Sequence, residues 1–130
     1  MRRVTPGASQ RFVVATEELE TGAPVVSVMG EVDLATAPAL ERTLAEVADE
    51  GTGEVIVDLT ACSFLDSNGL RALNSVRPAI VLSNPNVLRI FQLTKFDKVF
   101  EIYPTLDAAL NRNGNGNANG NGNGNGNGNA

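Results

Sequence analysis

The sequence predicts an α/β domain. Three observations carry this: the hydrophobic period changes several times between residues 10 and 112, "EVIVDL" is a nearly continuous apolar run, and "TAPALERTLAEVADEG" repeats apolar residues at helical spacing. Strands repeat with a period of about 2 and helices with a period of about 3.6, so each change of period marks a change of element.

In chain order, "RFVVATEEL" and "PVVSVMGEV" are β-branched segments separated by the polar, Gly-containing "ETGA", which predicts a hairpin with Val26, Val28 and Val32 on one face. In the long helix, Pro38 falls in the first turn, Leu40, Leu44, Val47 and Ala48 share a face, and Gly51 acts as the stop. "EVIVDL" reads as a central strand, covered on both faces inside a partly parallel sheet. "LRALNSV" sets Leu70, Leu73 and Val76 at helical spacing before Pro78 ends the helix, and "AIVL" makes a short strand. "NPNVLRIFQLT" opens with Asn and Pro and places Val87, Ile90 and Phe91 on one face, while "PTLDAAL" closes the domain with Leu106, Ala109 and Leu110.

A chain of 130 residues, 42% hydrophobic, supports one core and not two. The expected layout is an arm over residues 1–9, a domain over 10–112, and a tail over 113–130, "NGNGNANGNGNGNGNGNA", which has too little apolar surface to fold. No apolar run approaches the roughly 18 residues that span a bilayer, and "MRRVTPGASQ" lacks the apolar core of a signal peptide, so a cytoplasmic location is expected. A net charge of −5 favours basic protein partners and opposes attraction to nucleic acid or anionic lipid. With one cysteine and no histidine, neither an internal disulfide nor a transition-metal site is expected, and no cofactor is implied. Cys62, in the loop before "SFLDSNGL", reads as a small buried hydrophobe with no flanking basic residue to make it reactive.

The segment "SFLDSNGL", residues 63–70, sets Ser67 beside Asp66 between a strand-like and a helix-like run. Its Gly69 imitates the end of a nucleophile elbow, but Leu65 stands where the first glycine belongs. A chain without histidine also lacks the usual base for a serine nucleophile, and neither Lys95 nor Lys98 stands in an S-x-x-K relation to Ser67. Two readings stay open. Asp66 or Ser67 caps the helix, or the position combines a cap with a switch, in which a phosphate added to an exposed hydroxyl disturbs a docking surface while the fold survives.

"GEVDLATAPALERTL", "EVIVDLTACSFLDSNGLRAL" and "NPNVLRIFQLTKFDKVFEIYPTLDAAL" together resemble the STAS domain of bacterial anti-sigma-factor antagonists, over most of residues 11–111. The resemblance implies a small mixed sheet of four to five strands with helices packed mainly on one face. It also implies a regulatory binding protein and not an enzyme. The implied partner is an anti-sigma factor with a serine kinase fold, captured while Ser67 is unphosphorylated so that a sigma factor is freed. Phosphorylation of Ser67 by that partner ends the capture, and a phosphatase restores the hydroxyl. Asp33, Asp66, Ser67, Asn68 and Gly69 then form the partner-binding surface, with Glu31 and Thr36 as secondary candidates. A rival reading is a STAS module that no longer switches and serves as a scaffold or small-ligand sensor, with Ser67 only a cap.

Three departures from the family pattern stand out. The stretch between Gly69 and "AIVL" is about nine residues shorter than in typical relatives, more than two turns at 3.6 residues each, so the second helix must be short. Asn68 stands where relatives often carry Ser or Thr, leaving Ser67 as the loop's phosphoacceptor. Lys95 replaces a frequent glycine, so the third helix is expected to end differently.

Overall fold

The computed structural model describes residues 2–6, 12–19, 23–50 and 54–114. β1 (Arg2–Pro6) lies antiparallel against β2 (Phe12–Glu18), which pairs antiparallel with β3 (Pro24–Val32) from Phe12↔Gly30 to Glu18↔Pro24. Then come α1 (Ala37–Glu50), β4 (Ile56–Asp58), β5 (Cys62–Leu65), α2 (Ser67–Asn74) and β6 (Ala79–Val81). α3 (Pro85–Leu93), a 3-10 turn over Phe96–Lys98, β7 (Ile102–Tyr103) and α4 (Leu106–Gly114) follow. The sheet order is β1-β2-β3-β4-β6-β7, and β5 pairs separately with the end of β3.

From β3 onward every pairing is parallel, so α1, α2 and α3 serve as crossovers. The sheet has seven strands, against the four to five expected. The surplus lies in elements too short or too polar to register as a period: "RRVTP", which looks like an arm, "CSFL", which looks like a loop, and the two-residue β7. The hairpin turn at 20–22, the Gly51 stop and the Asn/Gly stretch from residue 115 lie outside the described residues.

Neighbouring residues of a strand face opposite sides of the sheet, and the core divides accordingly. On one side Val14, Val26, Val28, Val32, Val57 and Ile80 meet Leu40 and Leu44 of α1, Leu70 and Leu73 of α2, and Val87 and Phe91 of α3. On the other, Val25, Ile56, Ala79 and Val81 pack with Ala109, Leu106 and Leu110 of α4. Helices therefore lie mainly on one face, and β4 is buried on both, as the unbroken apolar run requires. At about 1.5–3 kcal/mol per fully buried large apolar side chain, these layers supply most of the driving force for folding. Among the described residues no helix is long and apolar enough to cross a membrane.

α2 is eight residues long, as short as the sequence requires. The shortening does not bare the core: the large exposed apolar side chains among the described residues are Leu34, Phe64, Leu93 and Val99, none of them on α2, and Val76 packs partly against the larger core. After α2 the chain turns through Arg77, whose backbone sits at φ 57° and whose N–H donates to the Leu73 carbonyl at 2.9 Å, before Pro78.

α3 ends through Lys95 at φ 68°, the left-handed conformation that a glycine would adopt. The sequence departure therefore leaves the backbone path of a glycine stop in place and has a lysine bear its steric cost. Lys95→Gly should raise the unfolding free energy by about 0.5–1 kcal/mol, the relief of strain being partly offset by the greater freedom of the unfolded chain. Urea unfolding checks this through a higher midpoint at unchanged slope.

Candidate functional site

The site forms where β3 and β5 end side by side. Val32 is paired with Leu65, both side chains are buried, and the next residues, Asp33 and Asp66, leave the sheet together. The Asp66 N–H donates to the Val32 carbonyl at 3.1 Å and ties the start of α2 to the end of β3.

Asp66 is the N-cap of α2. Its Oδ1 accepts from the N–H of Asn68 at 2.9 Å and of Gly69 at 3.3 Å, and its Oδ2 accepts from the Asn68 amide nitrogen at 3.4 Å. A cap of this kind stabilises a helix by about 1 kcal/mol. Between the two capping readings the geometry selects Asp66. Ser67 is the first helical residue, exposed, and its hydroxyl makes no hydrogen bond to any described residue.

Asp33 organises the neighbouring turn. Its Oδ1 accepts from the N–H of Ala35 at 3.0 Å and of Thr36 at 3.2 Å, leading into α1. Thr36 is buried; its hydroxyl donates to the Glu31 carbonyl at 3.0 Å and accepts from the Asp33 N–H at 2.9 Å. Thr36 thus holds the turn from within, whereas Asp33, Asp66 and Asn68 are half-buried around the exposed Ser67.

Gly69 is buried. A Cβ there would stand 2.8 Å from Leu65 Cγ and 2.8 Å from Val32 Cγ1, closer than carbon atoms pack. The missing side chain therefore lets the first turn of α2 settle onto the two strand ends. Cys62 lies in β5, not in a loop, and its side chain is in the larger core. Burial pushes its thiol up from an ordinary 9.0 to about 11, which makes it a poor nucleophile.

Three residues that sequence pattern does not single out also belong to this neighbourhood. Leu34, 73% exposed, follows Asp33, and Phe64, 46% exposed, lies on β5 opposite Glu31 of β3. An apolar residue inside a polar turn, and one in a strand whose neighbours 62 and 65 are buried, were the available signals. The third is Arg71, exposed and one helical turn after Ser67.

Among the described residues no group of three or more His, Cys, Asp or Glu side chains is placed to hold a metal ion. A cavity of about 240 Å³ lies among Glu54, Arg77, Pro78, Phe100 and Glu101, at the strand ends opposite Ser67.

The ends of β3 and β5 thus present two aspartates and a capped helix start around one exposed serine. The STAS domain family matches residues 15–109, and the chain belongs to that family. The chain is 34% identical over 106 residues to the anti-sigma-F factor antagonist RsfB of Mycobacterium tuberculosis, which covers 75% of this chain and 87% of that protein. A crystal structure of an anti-sigma factor antagonist from Mycobacterium paratuberculosis is similar at 36% identity and a TM-score of 0.74, over 82% of this chain and 97% of that one. The Bacillus cell fate determinant SpoIIAA in its phosphorylated form shares the fold, with 20% identity and a TM-score of 0.51 over 76% of this chain and 97% of that one. These relatives are anti-sigma factor antagonists, regulatory binding proteins and not enzymes.

Gly69→Ala should cost about 1–3 kcal/mol of stability, because Val32 is stiff and Leu65 is met at its branch point and not at its tip. Chemical unfolding measures the loss. A second expectation concerns pH. The folded-state value for Cys62 lies above the unfolded one, so its contribution is complete below pH 9.0 and is lost as pH rises towards 11. The parent protein should therefore lose more stability across that window than Cys62→Ala in parallel urea titrations.

Proposed function

We propose that the protein is an anti-sigma-factor antagonist switched at Ser67. With the hydroxyl free it captures an anti-sigma factor of serine kinase fold, and the sigma factor held by that partner is released. The partner then transfers phosphate from ATP. Ser67 Oγ forms a bond to the γ-phosphorus, the bond to the ADP oxygen breaks, ADP leaves, and the hydroxyl proton passes to a base of the kinase. A phosphatase hydrolyses the ester, returning the hydroxyl and releasing inorganic phosphate.

The observation that carries this reading is the division of labour at the start of α2. Asp66 caps the helix, leaving the exposed Ser67 hydroxyl without a hydrogen bond to any described residue. A residue with no structural duty can be modified without unfolding the domain, and the charge it gains falls inside the docking surface. Asp33, Asp66 and Asn68 form the polar part of that surface, and Gly69 sets its shape from below. The acidic pair favours a basic patch on the partner, an attraction that weakens with salt.

The test is incubation of the purified protein with ATP and anti-sigma factors of kinase fold encoded in its own genome, followed by mapping of any phosphate mass increment. The expected site is Ser67. Ser67→Asp should weaken capture at least tenfold, about 1.4 kcal/mol, with an unchanged far-UV circular dichroism spectrum. A Ser67→Asp variant that binds like the parent, with no phosphate on Ser67 from any kinase tested, would favour the non-switching scaffold.

A further inference from the structure

A phosphate on Ser67 enters an unwelcoming neighbourhood. It carries roughly −1.5 to −2 charges at pH 7 and sits next to the Asp66 carboxylate, with Asp33 at the adjoining strand end. The usual compensation at a helix start is a set of free backbone N–H groups, but here those of the three residues after Ser67 are already committed. The N–H groups of Asn68 and Gly69 donate to the Asp66 side chain, and that of Leu70 donates to the Asp66 carbonyl at 3.0 Å. Only the N–H of Ser67 itself is left, and it carries a partial charge, so a full counter-charge has to come from a side chain.

α2 contains one basic residue, Arg71. It lies four positions after Ser67, a spacing that sets two side chains over one another on the same helical face, about 5–6 Å apart at Cβ. Helical side chains lean towards the N-terminus, so the reach of Arg71 is in the direction of Ser67. Both residues are exposed, and the Arg71 guanidinium makes no hydrogen bond or ion pair with any described residue. Its planar fork of donors matches a phosphate group.

We propose that Arg71 is the internal receiver of phosphate on Ser67, pairing with the modified side chain across one turn of α2. For its biological use this rests on Ser67 being the phosphoacceptor, although the pairing itself is a property of the folded chain. In the unmodified protein the guanidinium is free to meet an acidic group of the partner. Once Ser67 is phosphorylated it is turned inward onto the protein's own phosphate, so modification alters two features of the docking surface together.

The experiment installs phosphoserine at position 67 during translation, with no kinase needed, in the parent and in the Arg71→Gln and Arg71→Lys variants. Phosphorus-31 NMR then follows the second ionisation of the phosphate. The expected result is a pKa lower by about 0.3 unit or more in the parent than in Arg71→Gln, with Arg71→Lys between them. Asp66 and Asp33 are common to all three proteins and cancel in the comparison. Unfolding midpoints with and without phosphate provide the second reading: Arg71→Gln should destabilise the phosphorylated form more than the unmodified one. Equal destabilisation of both forms, or identical phosphate pKa values in the parent and Arg71→Gln, would overturn the proposal and leave Arg71 as a charge that merely complements the end of a short helix. A shifted pKa together with no kinase acting on Ser67 would instead support the pairing and count against the proposed function.

Discussion

The close approach of α2 to the paired ends of β3 and β5 is the constraint on which the site depends. It is made by one hydrogen bond, from Asp66 N–H to the Val32 carbonyl, and by the missing Cβ of Gly69 over Val32 and Leu65. Were the helix held farther out, the Asp33 turn and the Asp66 cap would no longer adjoin and Ser67 would stand alone. Packing of apolar strand ends thus decides where the polar surface is, although no polar residue takes part in that packing.

The polar groups around Ser67 serve the fold first. The Asp33 and Asp66 carboxylates each satisfy two backbone N–H groups, and the buried Thr36 hydroxyl bridges the Glu31 carbonyl and the Asp33 N–H. Their negative charge remains available to a partner, but their positions are fixed by the fold. An electrostatic surface whose charges are anchored this way loses little conformational entropy on docking. The Ser67 hydroxyl and the Arg71 guanidinium, both on α2, are bound to no described residue.

Much of this arrangement was legible in the sequence. The apolar runs of β3 and β4, the periodic face of α1 and the Asn-Pro opening of α3 each carry enough residues to announce their period, and the expected faces, such as Val26 with Val28 and Val32, meet in one core. The strands over Arg2–Pro6, Cys62–Leu65 and Ile102–Tyr103 were not legible, because two to five residues define no period, and for the last two pairing partners far along the chain determine their state. At the site, the residue types pointed to a cap near Ser67, but only geometry distinguishes Asp66 as its owner. Lys95 shows the opposite limit: a residue type that argues against a left-handed stop is held in one by the helix and turn on either side.

The sealed position of Cys62 has a practical consequence. It is the single sulfhydryl of the chain, and the core encloses it, so the outer surface of the described domain offers nothing for maleimide or disulfide chemistry. A cysteine introduced at the outward-facing Leu34, beside the proposed docking surface, would be the one site at which a fluorophore or spin label attaches. The native residue could stay in place and go on filling its hole, and the arrival and departure of a partner could be followed in real time without first stripping the protein of its own thiol.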